Sequence, residues 1–116
     1  DKKAENLQRA FSNSMFKCFV LDSSKLVGVG RALADGVDCS YICDVAVHPE
    51  WQGIGLGKCI IEKLTSLSKD HKKIILYANP GKEIFYKNLG FSRMNTAMAI
   101  FQDQEFALEV GLVNET

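Results

Sequence analysis

The pattern of apolar and polar residues along the chain predicts one helix followed by three strands. Leu7, Ala10 and Phe11 recur at helical spacing, so a short amphipathic helix is expected over Lys3–Phe11. Three apolar runs of strand length come next and are separated by turn-forming residues. These predicted strands are Phe16–Leu21, Lys25–Ala34 and Cys39–Val47. Pro49 then ends the third strand, because proline donates no hydrogen bond to a ladder.

The second half of the chain predicts alternating helices and strands. The apolar stripe of one helix follows a glycine-rich stretch and consists of Ile60, Ile61, Leu64 and Leu67. The continuous apolar run Ile74–Ala78 is typical of a strand that is buried on both faces. Pro80 suits the first turn of a third helix, and Gly90 suits its C-terminal cap. One or two short strands are expected within Phe91–Phe101. A last helix is expected over Asp103–Val110, with Asp103 as its N-cap.

The order of these elements indicates an α/β (α+β) fold. A mostly antiparallel, twisted sheet comes first, one crossover helix connects it to a later strand, and helices flank the sheet. With 116 residues the chain is long enough for one domain, and we expect a single domain over residues 1–116.

Composition and charge narrow the classes of function. Fourteen basic residues balance fourteen acidic ones, which argues against a role in coating nucleic acid. No apolar run approaches the roughly 20 residues that a membrane-spanning helix needs. Four cysteines without C-x-x-C spacing and two scattered histidines favour reduced structural cysteines over a disulfide framework or a metal site. We therefore expect no metal, no nucleic-acid or membrane partner, and a cytoplasmic monomer or homodimer, apart from any targeting segment removed earlier.

The stretch WQGIGLGKCIIEKL, residues 51–64, contains the strongest chemical signal. Glycine costs roughly 1 kcal/mol relative to alanine inside a helix, yet it recurs at Gly53, Gly55 and Gly57. A strand, a glycine-rich loop and a helix start form an anion site, because unpaired N–H groups point outward from a helix N-terminus. The P-loop pattern fails at Gln52 and Cys59, and the dinucleotide pattern fails at Lys58. The remaining phosphate-binding pattern, Q/R-x-x-G-x-G/A, fits residues 52–57.

This pattern resembles the pyrophosphate loop of the GCN5-related N-acetyltransferase (GNAT) superfamily. VAVHPEWQGIGLGKCIIEKL, residues 45–64, resembles the central motif of that family, with strand, turn, loop and helix in unbroken register. NPGKEIFYKNLGF, residues 79–91, resembles its second motif, in which an asparagine lies seven residues before a tyrosine. Family members usually begin with a strand and a helix ahead of the segment Lys3–Phe11. We therefore expect an abbreviated or trimmed N-terminus and an incomplete acceptor-binding wall.

The resemblance implies acetyl-coenzyme A (acetyl-CoA) as the acetyl donor, held in the V-shaped cleft of a GNAT-like sheet. We expect the sheet to open after Val45, between the Cys39–Val47 and Ile74–Ala78 strands. The pyrophosphate is then expected on the backbone amides of the glycine-rich loop, and the pantetheine arm is expected to pair with the strand like an additional strand. Lys58 either adds charge near a phosphate or is an ordinary surface lysine. Asn79 either hydrogen-bonds the pantetheine or orders a water, or is a plain turn residue. The implied coenzyme-binding residues are Val45, Ala46, Val47, Gln52, Gly53, Ile54, Gly55, Leu56, Gly57, Lys58, Asn79, Phe85 and Tyr86.

The resemblance also implies catalytic roles. Tyr86 occupies the family's position for a general acid, since a phenol there can protonate the departing thiolate. Aromatic packing, the alternative role for a ring in this motif, is assigned more naturally to Phe85. The general base is left open between Tyr41, which stands where some relatives carry a glutamate, and Asp44, a carboxylate in an apolar strand. Strict alternation would place these two on opposite faces of the strand. His48 is a further candidate, although it also suits an ordinary turn.

These features predict an N-acetyltransferase that transfers the acetyl group of acetyl-CoA to a primary amine by direct attack. The first alternative is a catalytically silent acetyl-CoA-binding regulatory module, and the second is a nucleotide-binding protein of another fold. The presence of Tyr86 and Asn79 favours the enzyme. The acceptor stays open among small amines, amino sugars, polyamines, and protein N-termini or lysines.

Overall fold

The computed structural model describes residues 3–115, and the chain divides into two compact units, residues 1–76 and residues 77–116. The helices and strands of the first unit are α1 (Ala4–Ser12), β1 (Phe16–Asp22), β2 (Lys25–Ala34), β3 (Cys39–Val47), α2 (Leu56–Leu67) and β4 (Lys73–Ile75). The second unit contains α3 (Glu83–Asn88) and α4 (Gln104–Glu109). Within the described residues, no helix has both the length and the apolar composition needed to cross a membrane.

The sheet of the first unit has the strand order β1-β2-β3-β4. The first two pairings are antiparallel, as the short turns between these strands require, and β3 pairs with β4 in parallel. The parallel pairing follows from the crossover through α2, which returns the chain to the same end of the sheet. The predicted bounds of β2 and β3 are confirmed, and those of α1 and β1 are correct to within one residue at each end.

One face of the sheet is covered by α2, and this contact forms the core. Ile60, Ile61 and Leu64 are buried, as their helical spacing predicts, whereas Leu67 is partly exposed. The helix packs directly against the backbone of β2 at Gly28 and Gly30, which have no side chains to separate them from it. A β-carbon on Gly30 would collide with Cγ2 of Ile60 and lie 3.0 Å from Cδ1 of Leu64.

His71 connects the end of α2 to the turn that precedes β3. Its Nε2 accepts a hydrogen bond from the Gly36 N–H at 2.9 Å, and its Nδ1 lies 3.1 Å from the carbonyl oxygen of Ser68. The ring also packs edge-on against Phe16, with centroids 5.7 Å apart. Both ring nitrogens are thus engaged by backbone groups, which makes His71 a structural residue.

The structure differs from the prediction in three places, one at the end of the first unit and two in the second unit. The strand predicted over Ile74–Ala78 is shorter and begins one residue earlier, as β4 of the first unit. The helix predicted from Pro80 begins only at Glu83, because Gly81 has a φ of +94°, which lies outside helical geometry. No strand forms within Phe91–Phe101 in the described part of the second unit. Met98 and Ile100 in that stretch are 94% and 100% exposed, so neither is packed as a sheet residue would be.

The last helix forms as predicted. The carboxylate of Asp103 accepts a hydrogen bond from the Phe106 N–H at 3.0 Å and so caps the N-terminus of α4. Gly111 follows the helix with a φ of +87°, a left-handed conformation that ends helices and favours glycine.

We predict that Gly30→Ala lowers the free energy of unfolding by about 1–3 kcal/mol, because the added methyl group overpacks the contact with Ile60 and Leu64. Gly28→Ala is the matched control. Its β-carbon would lie 3.0 Å from Cδ1 of Ile60, the flexible end of that side chain, so a smaller loss is expected. Urea unfolding of both variants measures the difference. Equal stability of Gly30→Ala and the unsubstituted protein would contradict the close helix–sheet contact.

Candidate functional site

The glycine-rich loop connects the end of β3 to the start of α2. After β3, a 3-10 turn over Pro49–Trp51 reverses the chain, and Nδ1 of His48 accepts a hydrogen bond from the Glu50 N–H at 3.2 Å. The side chain of Gln52 then turns back and donates to the carbonyl oxygen of Val47 at 3.0 Å. His48 and Gln52 therefore hold the loop against the end of the strand.

Two of the three loop glycines are required by backbone conformation. Gly53 and Gly55 have φ values of +82° and +91°, and Gly55 is the N-cap of α2. A β-carbon built on either glycine would meet no atom within 4 Å, so the space outside the loop is open. Gly57 is different, because it lies inside the first turn of α2, where glycine is normally unfavourable.

The backbone N–H groups from Gly53 to Lys58 have no hydrogen-bond acceptor within the described chain. The Gln52 N–H donates to the Pro49 carbonyl oxygen at 3.4 Å, and the Cys59 N–H donates to the Gly55 carbonyl oxygen at 3.1 Å. Between them, no hydrogen bond from an N–H group of residues 53–58 is found within the described chain. The first turn of α2 also contains no acidic residue. This end of the helix is therefore suited to an anion.

A β-bulge in β3 decides which side chains share a face. Arg31 lies opposite Asp44 and Ala32 lies opposite Ile42, so Cys43 is an extra residue on β3. Beyond the bulge, Leu33 lies opposite Tyr41. Because cross-strand partners point to the same face, Tyr41 and Asp44 lie on one face of the sheet. The expectation that they lie on opposite faces is wrong, since strict alternation ignores the inserted residue.

Arg31 is a residue of this face that the sequence analysis did not identify. Its Nε donates to Oδ2 of Asp44 at 2.6 Å, its Nη1 lies 3.3 Å from Oγ of Ser14, and its guanidinium carbon lies 5.9 Å from the centroid of the Phe11 ring. The pair is only partly exposed, at 14% for the Arg31 side chain and 25% for Asp44. An arginine in an apolar strand, facing an aspartate in the next strand, was the available signal.

A cavity of about 710 Å³ opens on this same face, between α1 and the sheet. Most of its lining is apolar, and Asp44 and Lys17 are the charged side chains in it. Its residues are Leu7, Gln8, Phe11, Ser12, Lys17, Phe19, Leu26, Val29, Asp44 and Ala46. The cavity reaches β3 at Asp44 and Ala46, just ahead of the glycine-rich loop.

The opening between β3 and β4 begins earlier than expected. The described ladder between these strands has Cys39 opposite Lys73, Ser40 opposite Ile74 and Tyr41 opposite Ile75. The pairing therefore ends at Tyr41, and the prediction that the strands part only after Val45 is wrong. The reason is the short length of β4, which ends at Ile75 while β3 continues to Val47.

The second unit holds the remaining predicted site residues, Asn79, Phe85 and Tyr86. The carbonyl oxygen of Asn79 accepts a hydrogen bond from the Lys82 N–H at 3.0 Å ahead of α3. The Tyr86 ring packs edge-on against Phe85 and Phe91, at centroid distances of 5.0 and 5.9 Å. Phe85 is 38% exposed, and Tyr86 is half-buried. The aromatic packing that was expected of Phe85 therefore involves the Tyr86 ring at least as much as the Phe85 ring.

Burial raises the pKa of the Tyr86 phenol above its ordinary value of 10.0. The phenol consequently stays protonated over a wider pH range than a tyrosine in solution, which is the state that a proton donor needs. Among residues 3–115, no group of three His, Cys, Asp or Glu side chains is arranged to hold a metal ion.

Comparison with known proteins gives one consistent family. Residues 2–101 match the family model described as Acetyltransferase (GNAT) domain. A Glycine max protein named Histone acetyltransferase TAP1 is 44% identical over 72 residues, covering 60% of this chain and 31% of the relative. An Oryza sativa protein named Serotonin N-acetyltransferase 2, chloroplastic, is 35% identical over 97 residues, covering 78% of this chain and 48% of the relative.

The similarity extends to solved structures. A GNAT family acetyltransferase of Streptococcus pneumoniae superposes with a TM-score of 0.73 at 23% identity, covering 86% of this chain and 81% of that one. At this identity the likeness shows the fold alone. The chain spans 27% to 51% of the length of curated relatives that it matches.

Proposed function

Because this chain belongs to the GNAT family of acetyltransferases, we propose that it transfers the acetyl group of acetyl-CoA to the nitrogen of a primary amine. The observation that carries the proposal is the run of N–H groups from Gly53 to Lys58 at the start of α2, bordered by open space at Gly53 and Gly55. Such a run binds a doubly charged pyrophosphate through several N–H donors and the positive end of the helix dipole. Lys58, exposed in the first turn, adds a cation nearby.

The residues present fit the coenzyme in shape as well as in charge. A β-carbon at Gly53 or Gly55 would project into the space that the pyrophosphate requires. Gln52 braces the loop through its side chain, and its own N–H is already used, so we assign it a supporting role. Ile54 and Leu56 supply backbone donors between the glycines.

We assign the pantetheine arm to β3 beyond its pairing with β4. The strand carries a ladder with β2 along one edge, in which Val47, Ala46 and Val45 lie opposite Gly28, Val29 and Gly30. Past Tyr41 the described β3–β4 ladder has ended, so an extended amide chain fits beside Val45–Val47 like an additional strand. This segment leads directly into the loop, as a continuous coenzyme site requires.

Bound acetyl-CoA would supply a thioester whose carbonyl carbon accepts the amine and whose thiolate departs. Tyr86 is assigned to donate its phenolic proton to that sulfur, on the grounds of its motif and its raised pKa. Asn79 is assigned to hydrogen-bond the pantetheine amide or a water near it. Phe85 is assigned an apolar contact with the coenzyme, since its ring is partly exposed.

We place the acceptor in the cavity beside Ala46, because this residue belongs both to the cavity lining and to the coenzyme strand. Tyr41 and Asp44 lie on that face and are the candidates for receiving the proton of the amine. The Nε of Arg31 donates to Oδ2 of Asp44 at 2.6 Å, so one carboxylate oxygen is already engaged, and the carboxylate borders the cavity as a hydrogen-bond acceptor. We therefore assign Asp44 to positioning the amine, and Tyr41 to holding a water that takes the proton.

The acceptor class is proposed only as a primary amine. The names of two relatives specify a histone and serotonin as substrates, which differ in size but share an amine that must be neutral to attack. One of these relatives is named chloroplastic, which supports a plastid as a second candidate compartment beside the cytoplasm. The overall test is thiol release from acetyl-CoA with a panel of amines. Binding without release with any amine would favour a regulatory module instead.

We predict that Gly57→Val weakens coenzyme binding at least about tenfold, or roughly 1.4 kcal/mol, because the branched side chain crowds the N–H groups of the first turn. Gly57 precedes the buried Ile60 and Ile61 by three and four residues on α2, so a melting curve is measured with the affinity to separate lost binding from lost packing. Gly55→Val would also strain the backbone, because the φ of +91° at this position is unfavourable for valine. A loss of affinity in that variant would therefore combine two causes.

Calorimetry measures the affinity for coenzyme A, and a melting curve measures the stability of the same variant. Ser66→Val is the matched control, because Ser66 is exposed on the same helix near its other end. Unchanged affinity in Gly57→Val would contradict the anion site at α2.

We predict that Tyr41→Phe lowers kcat/KM for the amine by about 10²-fold, because the phenol that orders the proton-accepting water is lost. Most of this loss should appear in kcat. Asp44→Asn should instead raise KM for the amine with a smaller effect on kcat. Steady-state rates over a range of amine concentrations separate the two roles. A loss confined to KM in Tyr41→Phe and a loss in kcat in Asp44→Asn would reverse the assignment.

We predict that Tyr86→Phe lowers kcat by about 10²-fold or more with little change in coenzyme affinity, because the ring remains while the proton donor is lost. The sign of the pH dependence follows from the raised pKa: activity should persist above the ordinary phenol range and fall only as Tyr86 deprotonates. That basic limb should be absent in the variant. Single-turnover rates measured across this range avoid masking by product release. Rates equal to those of the unsubstituted enzyme would mean that Tyr86 only packs.

A further inference from the structure

The flank of α2 that faces β1 carries a cysteine close to another cysteine in that strand. Cys59 and Ile61 lie on either side of Ile60, each about 100° around the helix axis. The Ile61 side faces β3, because Ser68, two turns further on, places its Oγ 2.7 Å from Oγ of Ser40. The opposite side, with Cys59 and Lys63, therefore faces β1, whose Cα atoms come within 8 Å of those of α2.

Cys18 points to the same space from the sheet. It lies opposite Gly30 in the β1–β2 ladder, and cross-strand partners share a face. That face is the one under α2, since a β-carbon on Gly30 would collide with Ile60. Bare backbone at Gly28 and Gly30 lets the helix pack directly on the sheet at this point. A disulfide requires a Cα separation of about 4.4–6.8 Å, and this direct packing brings the two backbones toward that range.

Electrostatics agrees with this arrangement. Burial raises the pKa of the Cys18 thiol, while the Lys63 ammonium lowers it and Cys59 raises it. Both residues of the α2 flank thus lie within electrostatic reach of the Cys18 sulfur. Cys59 is exposed, whereas Cys18 is only partly so. The exposed thiol is therefore the one that an external oxidant meets first.

We propose that Cys18 and Cys59 form a modification site, at which a small-molecule disulfide such as glutathione disulfide converts the two thiols into an intramolecular disulfide. The Cys59 thiolate attacks one sulfur of glutathione disulfide, the bond between the two glutathione sulfurs breaks, and one glutathione leaves as a thiol. The Cys18 thiolate then attacks Sγ of Cys59 and expels the second glutathione. Two protein thiols are oxidised, one glutathione disulfide is reduced, and the two thiol protons end on glutathione.

The cross-link would attach the second turn of α2 to β1. Cys59 donates its N–H to the Gly55 carbonyl oxygen, so the modified residue adjoins the glycine-rich loop. The inference does not depend on the proposed acetyl transfer, because it rests on the α2–β1 contact alone.

Treatment of the native protein with glutathione disulfide tests the proposal. The protein should lose two of its four free thiols, retain no glutathione adduct and yield a peptide that joins Cys18 to Cys59 in mass spectrometry. Cys18→Ser should stop at a glutathione adduct on Cys59, because the second thiol is missing. Cys39→Ser is the matched control and should cross-link like the unsubstituted protein. Cys18→Ala replaces Cys18→Ser if the hydroxyl prevents folding.

Three results would overturn the proposal. The first is a stable glutathione adduct on Cys59 of the unsubstituted protein without closure. The second is a cross-link that involves Cys39 or Cys43. The third is retention of all four thiols under conditions that modify an exposed model thiol.

Discussion

The close approach of α2 to β2 is the contact on which the first unit depends. Gly28 and Gly30 remove side chains from the middle of the sheet, and Ile60 and Leu64 fill the space that they leave. The helix is thereby fixed in height above the sheet, and its N-terminus is fixed relative to the end of β3. Since the candidate anion site consists of backbone groups at that N-terminus, its position is a consequence of helix–sheet packing.

The bulge at Cys43 is the second constraint, and it acts on the other face of the sheet. One inserted residue turns Asp44 toward the side on which Tyr41 already lies, and there Arg31 pairs with it. The same side holds the cavity under α1. The sheet thus separates two kinds of surface: a glycine-backed core under α2 and a side-chain-lined cavity opposite it.

The glycine-rich loop and the cavity differ in the kind of group that forms them. The candidate anion site of the loop consists of backbone N–H groups, so it depends on backbone conformation and on the absence of side chains at a few positions. The cavity is instead lined by side chains, so its shape depends on the size of the residues that line it. Two relatives of the chain are named for substrates as different as a histone and serotonin.

The sequence by itself determined the fold class, the family and the position of the glycine-rich loop between a strand and a helix. The strands Lys25–Ala34 and Cys39–Val47, the stripe on α2 and the cap at Asp103 follow from local periodicity and turn chemistry, which short segments encode. The family prediction was confirmed by the match over residues 2–101. Only the tertiary structure decided the faces of Tyr41 and Asp44, the role of Arg31, the early end of β4 and the proximity of Cys18 to α2. Each of these depends on which residue lies opposite which across a ladder or a helix–sheet contact, and such pairing joins segments far apart in the chain. The sequence pattern within one segment does not show which residues of another segment lie opposite it.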